Sequence, residues 1–129
     1  MLNDPLANTM SMIDMYNQKG RKEVTIHPVS SIILKTLKIL QEEHYLGDAE
    51  QVAEHKGGVY KVNLLGTINR CGVIKPRYSV SVSDFEKFEK RYLPAKGMGI
   101  LVVSTSQGLM THEQAKEKNV GGRLIAYCY

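Results

Sequence analysis

The hydrophobic pattern of this chain changes its period near Asp48. Before that residue, apolar side chains recur at helical spacing over residues 5–18 and about 31–43, with a short predicted strand at 23–27 between them. After Asp48 the pattern becomes that of short strands, predicted at residues 49–55, 59–65, 68–74 and 77–82. Helices followed by a succession of short strands predict an α+β fold.

Both early helices have sequence signals at their ends. Asp4-Pro5 favours a helix start, because Asp caps exposed N–H groups and Pro at the first position loses no hydrogen bond. Gly20 is suited to ending this helix with a positive φ, and Ser30 or Ser31 is suited to capping the second helix. The predicted buried faces carry Leu6, Met10, Ile13, Tyr16, Ile33, Leu37 and Leu40.

The second half combines short strands with short helices. Ser83 to Glu86 has the spacing of a capping box, and so has Thr111 to Gln114. The continuous apolar run from Gly99 to Val103 predicts a strand buried on both faces. Gly121-Gly122 then leads into a final predicted strand at residues 123–129.

At 129 residues the chain is long enough for one domain or, at most, two small lobes without disulfides. A strand, a helix and further strands closed by a Gly57-Gly58 turn predict a βαβ-like unit in the first half. The start of the chain lacks the pattern of a signal peptide, and no apolar run is long enough to span a membrane. We therefore expect a soluble, cytoplasmic protein without a membrane partner.

Common cofactor and metal motifs do not occur in the sequence. The glycines match neither a P-loop nor a dinucleotide fingerprint. His112-Glu113 begins like a zinc helix, but Lys116 stands where the second ligand belongs. Cys71 and Cys128 lie in predicted strands, where cysteine is usually a small buried hydrophobe. We expect no cofactor, no metal and no catalytic residue, although an enzyme using Cys71 or a histidine remains an alternative.

Small hydroxyl residues follow the buried strand directly, in the turn from Ser104 to Gly108. An ordinary turn that caps the next helix is one interpretation. The other is RNA binding, because hydroxyls both donate and accept and therefore suit 2′-hydroxyls, base edges and phosphates. The candidate RNA-binding residues are Ser104, Thr105, Ser106, Gln107, Gly108, Lys116, Lys118 and Arg123, with a second basic and aromatic group at Lys75, Arg77 and Tyr78.

The charge distribution indicates that an anionic partner would bind near the C-terminal end of the chain. Seventeen Lys and Arg against thirteen Asp and Glu give a net charge of only +4. Residues 41–54 contain five acids and no Lys or Arg, so this segment would repel phosphate. The basic residues around the hydroxyl turn are therefore the better candidates for binding an anionic partner.

Several segments together resemble one known family. They are Asp4 to Asn8, Asn63 to Gly66 with Asn69, Cys71 to Ile74, Pro76 to Tyr78, and the long ending from Ser104 to Gly122. They resemble the universal small-subunit ribosomal protein eight family, in its archaeal and eukaryotic branch. Bacterial members carry Lys-Pro-Gly-Leu-Arg near Pro76 and Glu after the paired glycines, where this chain has Arg77 and Arg123.

The resemblance implies two lobes: an N-terminal βαβ-type α/β lobe, residues 1–66, and a C-terminal, mostly antiparallel RNA-binding lobe with short helices, residues 67–129. It implies a structural protein that binds the central domain of small-subunit rRNA first and is needed for platform assembly. The RNA-binding surface that it implies is the turn from Ser104 to Gly108, completed by Gly121 and Gly122. The implied partners are this rRNA, neighbouring small-subunit ribosomal proteins and the protein's own operon mRNA, with a monomer outside the ribosome. The alternatives from the residues are a small enzyme and a protein-interaction domain.

Overall fold

A computed structural model describes residues 5–26, 31–53, 59–75, 77–95 and 97–129. The chain divides into two compact units, Met1–Cys71 and Gly72–Tyr129. The division of the two lobes after Gly66 stays a prediction. Residues 67–71 belong to the first compact unit, in which the Thr67 hydroxyl donates to the His44 carbonyl at 2.9 Å and the Cys71 backbone N–H donates to Asp14 Oδ1 at 3.2 Å.

The first unit contains α1 (Pro5–Gln18), β1 (Glu23–Ile26), α2 (Ser31–Glu42), β2 (Leu46–Ala53) and β3 (Val59–Leu64). Its sheet has the strand order β1-β3-β2, and β3 is antiparallel to both neighbours. The outer strands β1 and β2 are therefore parallel to each other, and α2 connects them. This is a βαβ unit split by an inserted central strand, so the expected βαβ-type lobe is confirmed. The predicted Gly57-Gly58 turn and the Ser30 cap lie outside the described residues.

The core of the first unit forms between the two helices and the sheet. α1 packs against β1 and α2, and α2 packs against β2. Of the seven helix residues predicted to be buried, six are buried in the structure, and Tyr16 is only partly buried. Their sheet partners include Val24, Ile26, Val62 and Leu64, which alternate with polar residues along β1 and β3 as expected for a sheet with one covered face. Gly20 has a φ of 74°, as predicted for a helix end.

The second unit contains β4 (Cys71–Val73, with Cys71 at the boundary), β5 (Ser79–Val80), a 3-10 turn (Val82–Asp84), α3 (Phe85–Tyr92), β6 (Ile100–Thr105), β7 (Gly108–Thr111), α4 (His112–Glu117) and β8 (Gly122–Cys128). The strand order is β4-β8-β6-β7, and β5 also pairs with β8. β8 is antiparallel to β5 and to β6, and β6 is antiparallel to β7. The expected α+β class with a mostly antiparallel second lobe is confirmed.

The sequence placed several details of this unit incorrectly. The strands predicted at 68–74 and 77–82 shrink to β4 and β5, and β7 was not predicted at all. The first capping box is also displaced: the Ser81 N–H and hydroxyl donate to Asp84 Oδ2, at 3.4 and 3.0 Å, whereas Ser83 only contacts Ser81. The 3-10 turn between Ser81 and α3 explains this shift, because it begins before the helix itself. The Thr111 capping box is confirmed, with reciprocal hydrogen bonds to Gln114.

The core of the second unit lies between the sheet and its two helices. Its buried members are Ile74, Val80, Phe85, Phe88, Leu93, Leu101, Val103, Met110, Ala115 and Leu124. Residues 100–103 of β6 are all buried, which confirms the interpretation of the apolar run as a strand covered on both faces. A strand held on both faces gives the hydroxyl residues that follow it a rigid support.

Candidate nucleic-acid interface

The hydroxyl segment forms a tight hairpin between β6 and β7. Thr105 pairs with Gly108 and leaves Ser106 and Gln107 as the two turn residues. The Thr105 hydroxyl donates to the Gly108 carbonyl at 2.9 Å and accepts from the Gln107 N–H at 3.1 Å. Gly108 has a φ of 108°, a conformation that side-chain-bearing residues rarely adopt. Thr105 thus holds the turn, while Ser106 and Gln107 are exposed at its tip.

A row of side chains crosses the sheet just behind this tip. Arg123 on β8 pairs with Ser79 on β5 and with Ser104 on β6, and Ser104 pairs in turn with Leu109 on β7. Residues directly opposite each other in antiparallel strands point to the same face. Ser79 and Ser104 therefore flank the exposed Arg123 side chain on either side. Among the described residues, no carboxylate pairs with this guanidinium.

The paired glycines allow three strands to meet at this point. A β-carbon at Gly122 would lie 2.2 Å from the Ser104 carbonyl oxygen, and one at Gly121 would lie 2.5 Å from the Val80 carbonyl oxygen. Both distances are far shorter than van der Waals contact. The absence of side chains at these two positions therefore lets β8 begin between β5 and β6, which brings Arg123 into the row.

Tyr78 lies immediately before β5 in the chain, and its backbone continues the pairing with β8. Its carbonyl accepts from the Leu124 N–H at 2.9 Å, and its ring packs on Phe88 with centroids 5.3 Å apart. Lys75 and Arg77 are exposed on the segment that leads into β5. The second predicted group is therefore continuous along the chain with Ser79, a member of the row.

The two lysines of α4 occupy different environments. Lys116 Nζ pairs with Glu89 on α3, and its side chain is partly covered. Lys118 is exposed at the C-terminal end of α4 and needs no rearrangement to meet a phosphate. Of these two predicted phosphate contacts, Lys116 is thus already held by a carboxylate, whereas Lys118 has no ion pair with any described residue.

Glu89 and Lys116 are part of a polar cluster inside the second unit. Glu89 Oε1 lies 3.3 Å from His112 Nε2, and His112 Nδ1 accepts from the Leu101 N–H at 3.1 Å. Because Nδ1 accepts, the proton of the neutral imidazole is on Nε2 and points to Glu89. Burial lowers the pKa of His112 below its ordinary value of 6.5, with the Glu89 carboxylate opposing this effect. The cluster joins α3, α4 and β6 around a neutral histidine.

The structure therefore brings together the hairpin tip, Ser104, the paired glycines and Arg123, as the sequence grouped them. It adds Ser79 to this surface, and it joins Glu89 to His112 in the buried cluster, a contact that sequence reasoning did not include. Ser79 lies in a strand of two residues, too short for a periodic pattern, so only the pairing with Arg123 reveals it. Glu89 and His112 are distant in sequence, and no local pattern indicates that they meet.

Other chemistry has less support. Cys71 and Cys128 are both buried, and the Cys71 thiol donates to the Met10 carbonyl with its sulfur 3.5 Å from the oxygen. The described part of the chain holds no cluster of three potential metal ligands. Among the described helices, none has the length and apolar character needed to cross a membrane.

The two antiparallel sheets and their helices define a two-lobed α+β protein. The family model described as Ribosomal protein S8 matches residues 4–129, nearly the whole chain, and the chain belongs to this family. Membership implies a small-subunit ribosomal protein that binds rRNA and meets other ribosomal proteins at the ribosome. Members of the family are structural ribosomal proteins and not enzymes.

Proposed function

We propose that the chain binds the central domain of small-subunit rRNA through its second unit and thereby supports assembly of the platform. The observation that carries this proposal is the row in which Ser79 and Ser104 flank the exposed Arg123 beside the hairpin tip. In this row the central guanidinium supplies only hydrogen-bond donors, and the hydroxyl on each side of it both donates and accepts. This combination suits a phosphate next to 2′-hydroxyls or base edges.

The hairpin and the row have separate roles in this proposal. Arg123, with Lys118 and the exposed Lys75 and Arg77, neutralises phosphates and supplies affinity. Ser106 and Gln107, at a tip whose shape Thr105 holds, recognise the local form of the RNA. Lys116 contributes by keeping Glu89 neutralised, so that α3 does not present an unpaired carboxylate.

Three finer assignments extend this proposal: a second RNA ligand, the branch of the family and the oligomeric state. The protein's own operon mRNA would bind at the same hairpin and row, in competition with rRNA. We place the chain in the archaeal and eukaryotic branch because Arg77 follows Pro76 directly and Arg123 follows the paired glycines. We also propose that the protein is a monomer outside the ribosome.

The test is binding of the full-length protein to a central-domain rRNA fragment, compared with an unrelated duplex of equal length at the same salt concentration. We expect tight binding to the fragment and weak, steeply salt-dependent binding to the duplex. Arg123→Gln removes the central donor of the row and is expected to weaken binding to the fragment strongly. Lys35→Gln, at an exposed site on α2 in the first unit, is the matched loss of one charge and should change little.

Equal affinity for the fragment and the duplex would contradict the proposed recognition. Equal effects of Arg123→Gln and Lys35→Gln would remove the row from the site even if the fragment binds. Circular dichroism and thermal unfolding of both variants show whether either change acts through folding.

A further inference from the structure

One face of α3 carries two cations that the candidate interface does not include. Lys87 and Arg91 are four residues apart, so they lie on the same side of the helix, and both are exposed. Lys87 Nζ lies 5.8 Å from the centroid of the Phe88 ring. The Arg91 guanidinium carbon lies 5.4 Å from the centroid of Tyr78 and 5.8 Å from that of Tyr92. We call Lys87, Arg91 and these three rings the α3 patch.

The rings of the patch restrict Arg91 without neutralising it. A cation over an aromatic face is attracted by the ring quadrupole, and two rings limit the orientations that the guanidinium can take. A cation–π contact uses none of the five N–H donors of the guanidinium as a hydrogen bond to an oxygen, so these donors remain available. Among the described residues, no carboxylate pairs with Arg91. The side chain is therefore held in place with unused donors and a full positive charge.

The acidic residues of α3 do not cancel the charge of the patch. Glu89 is buried and pairs with Lys116 and His112. Glu86 lines a small cavity together with Lys90, its neighbour four residues along the helix. Asp84, at the start of α3, lies on the same side of the helix as Lys87, but its Oδ2 accepts from the Ser81 N–H and hydroxyl. With two cations against this one acid, the side of the helix with Lys87 and Arg91 remains positive.

The patch adjoins the row through β5. Tyr78, which contacts Arg91, is followed directly by Ser79, which pairs with Arg123. Within β5 the Ser79 and Val80 side chains point to opposite faces, and Val80 belongs to the core against which Tyr78 packs. The α3 patch and the row therefore lie on the two sides of β5. Among the described strands, β5 pairs with β8 alone, so an RNA strand can pass around its other edge from one surface to the other.

We propose that the α3 patch is a second phosphate-binding site for the same RNA, which passes from the row across β5 to Arg91 and Lys87. This inference rests on the proposed function and extends the site to residues on a different element. The ligand is the RNA sugar-phosphate backbone, because a stacked guanidinium fork and a neighbouring ammonium match phosphate oxygens and carry no information on base identity. The alternative ligand of the α3 patch is an acidic protein segment, and the test distinguishes it from RNA.

The test measures the dependence of binding on salt for the full-length protein and the central-domain rRNA fragment. Each lost phosphate contact reduces the slope of log K against log salt by about one. We expect the slope of Lys87→Gln/Arg91→Gln to fall by about two, with the preference for the fragment over an unrelated duplex retained. The matched control is Lys35→Gln/Lys38→Gln, which removes two exposed charges from α2 and should leave the slope unchanged.

A second variant keeps the test informative if removing the stacked side chain disturbs α3. Arg91→Lys retains the charge but loses the planar fork, so we expect the slope to stay near that of the unmodified protein while affinity decreases. A wild-type slope and affinity in the folded double variant would overturn the inference. Loss of binding to an acidic ribosomal protein with unchanged RNA binding would overturn it in favour of the protein partner. If the unmodified protein does not prefer the fragment over the duplex, the proposed function itself fails, and this result is distinct from an effect of the α3 variants.

Discussion

Gly122 and Ser104 approach each other so closely that a β-carbon on Gly122 would lie 2.2 Å from the Ser104 carbonyl oxygen. The contact joins β8 to β6 at the point where Arg123 enters the row. Because the obstructing atom is backbone, it cannot move aside as the end of a flexible side chain does. The position therefore couples the stability of the second unit to the geometry of the candidate interface.

Gly122→Ala is expected to destabilise the protein by about 1–3 kcal/mol, in the range of an overpacked core, and to weaken RNA binding as well. Urea denaturation and binding to the rRNA fragment measure the two effects. Gly72→Ala is the matched control, because its β-carbon would meet the hydroxyl end of the Tyr127 ring at 3.0 Å, a side chain that can shift. Similar losses of stability in the two variants would show that the backbone contact is not the cause.

The two hydroxyls of the hairpin are predicted to act differently. Thr105→Val removes both hydrogen bonds within the turn, so we expect a loss of about 1 kcal/mol in stability together with weaker RNA binding. Ser106→Ala, at the exposed tip, is expected to leave the free energy of unfolding unchanged and to reduce RNA affinity by about 1–3 kcal/mol, the cost of unpairing a polar partner. Denaturation and RNA titration of both variants provide the comparison. An unchanged dissociation constant for Ser106→Ala at fixed salt would remove this residue from the interface.

The pH dependence of stability is predicted from His112. Burial lowers its pKa in the folded protein below 6.5, so between the folded and unfolded pKa values the unfolded chain binds more protons. The stability gained from the neutral imidazole is fully present above about pH 6.5 and decreases as the pH falls toward the folded pKa. Protonation also places a hydrogen on Nδ1, where the Leu101 N–H donates.

Urea denaturation between pH 5 and 8 measures this effect. We expect the unmodified protein to lose stability on acidification, and His112→Gln to be less stable throughout but to show a flatter profile. His44, an exposed histidine in the first unit, provides the control: His44→Gln should keep the steep profile. The same slope in His112→Gln and in the unmodified protein would assign the pH dependence to other groups.

Lys116 and Lys118 are predicted to separate structural from RNA-binding roles. Lys116→Ala leaves the buried Glu89 with His112 as its remaining partner, and we expect a loss of about 1–2 kcal/mol in stability, because the partly exposed ammonium is screened by solvent. Lys118→Ala is expected to stay within about 0.5 kcal/mol in stability and to reduce the salt slope of RNA binding by about one. Thermal unfolding and salt titration of the pair test this division. A larger change in salt slope for Lys116→Ala than for Lys118→Ala would return Lys116 to the RNA contacts.

The sequence by itself determined the elements with strong local signals. Two amphipathic helices, their buried faces, the apolar strand β6 and the Thr111 capping box all depend on residues close together in the chain, and each was predicted correctly. The hydroxyl turn and the basic residues around it were also recognisable, because residue type and spacing are local properties. Short strands were less predictable: β7 went unrecognised and β5 was overextended, since a strand of two to four residues is stabilised by its partners more than by its own pattern.

Only the tertiary structure decided which side chains share a surface. Strand pairing places Ser79 beside Arg123, although the two residues are far apart in the sequence and no local pattern links them.

 The same long-range folding turns Glu89 toward Lys116 and His112, and so gives Lys116 a carboxylate partner that its local sequence does not indicate. It also stacks Arg91 on Tyr78 and Tyr92. The physical reason is that pairing register and burial depend on contacts between distant segments, whereas helical periodicity, capping and turn chemistry depend on neighbours in the chain.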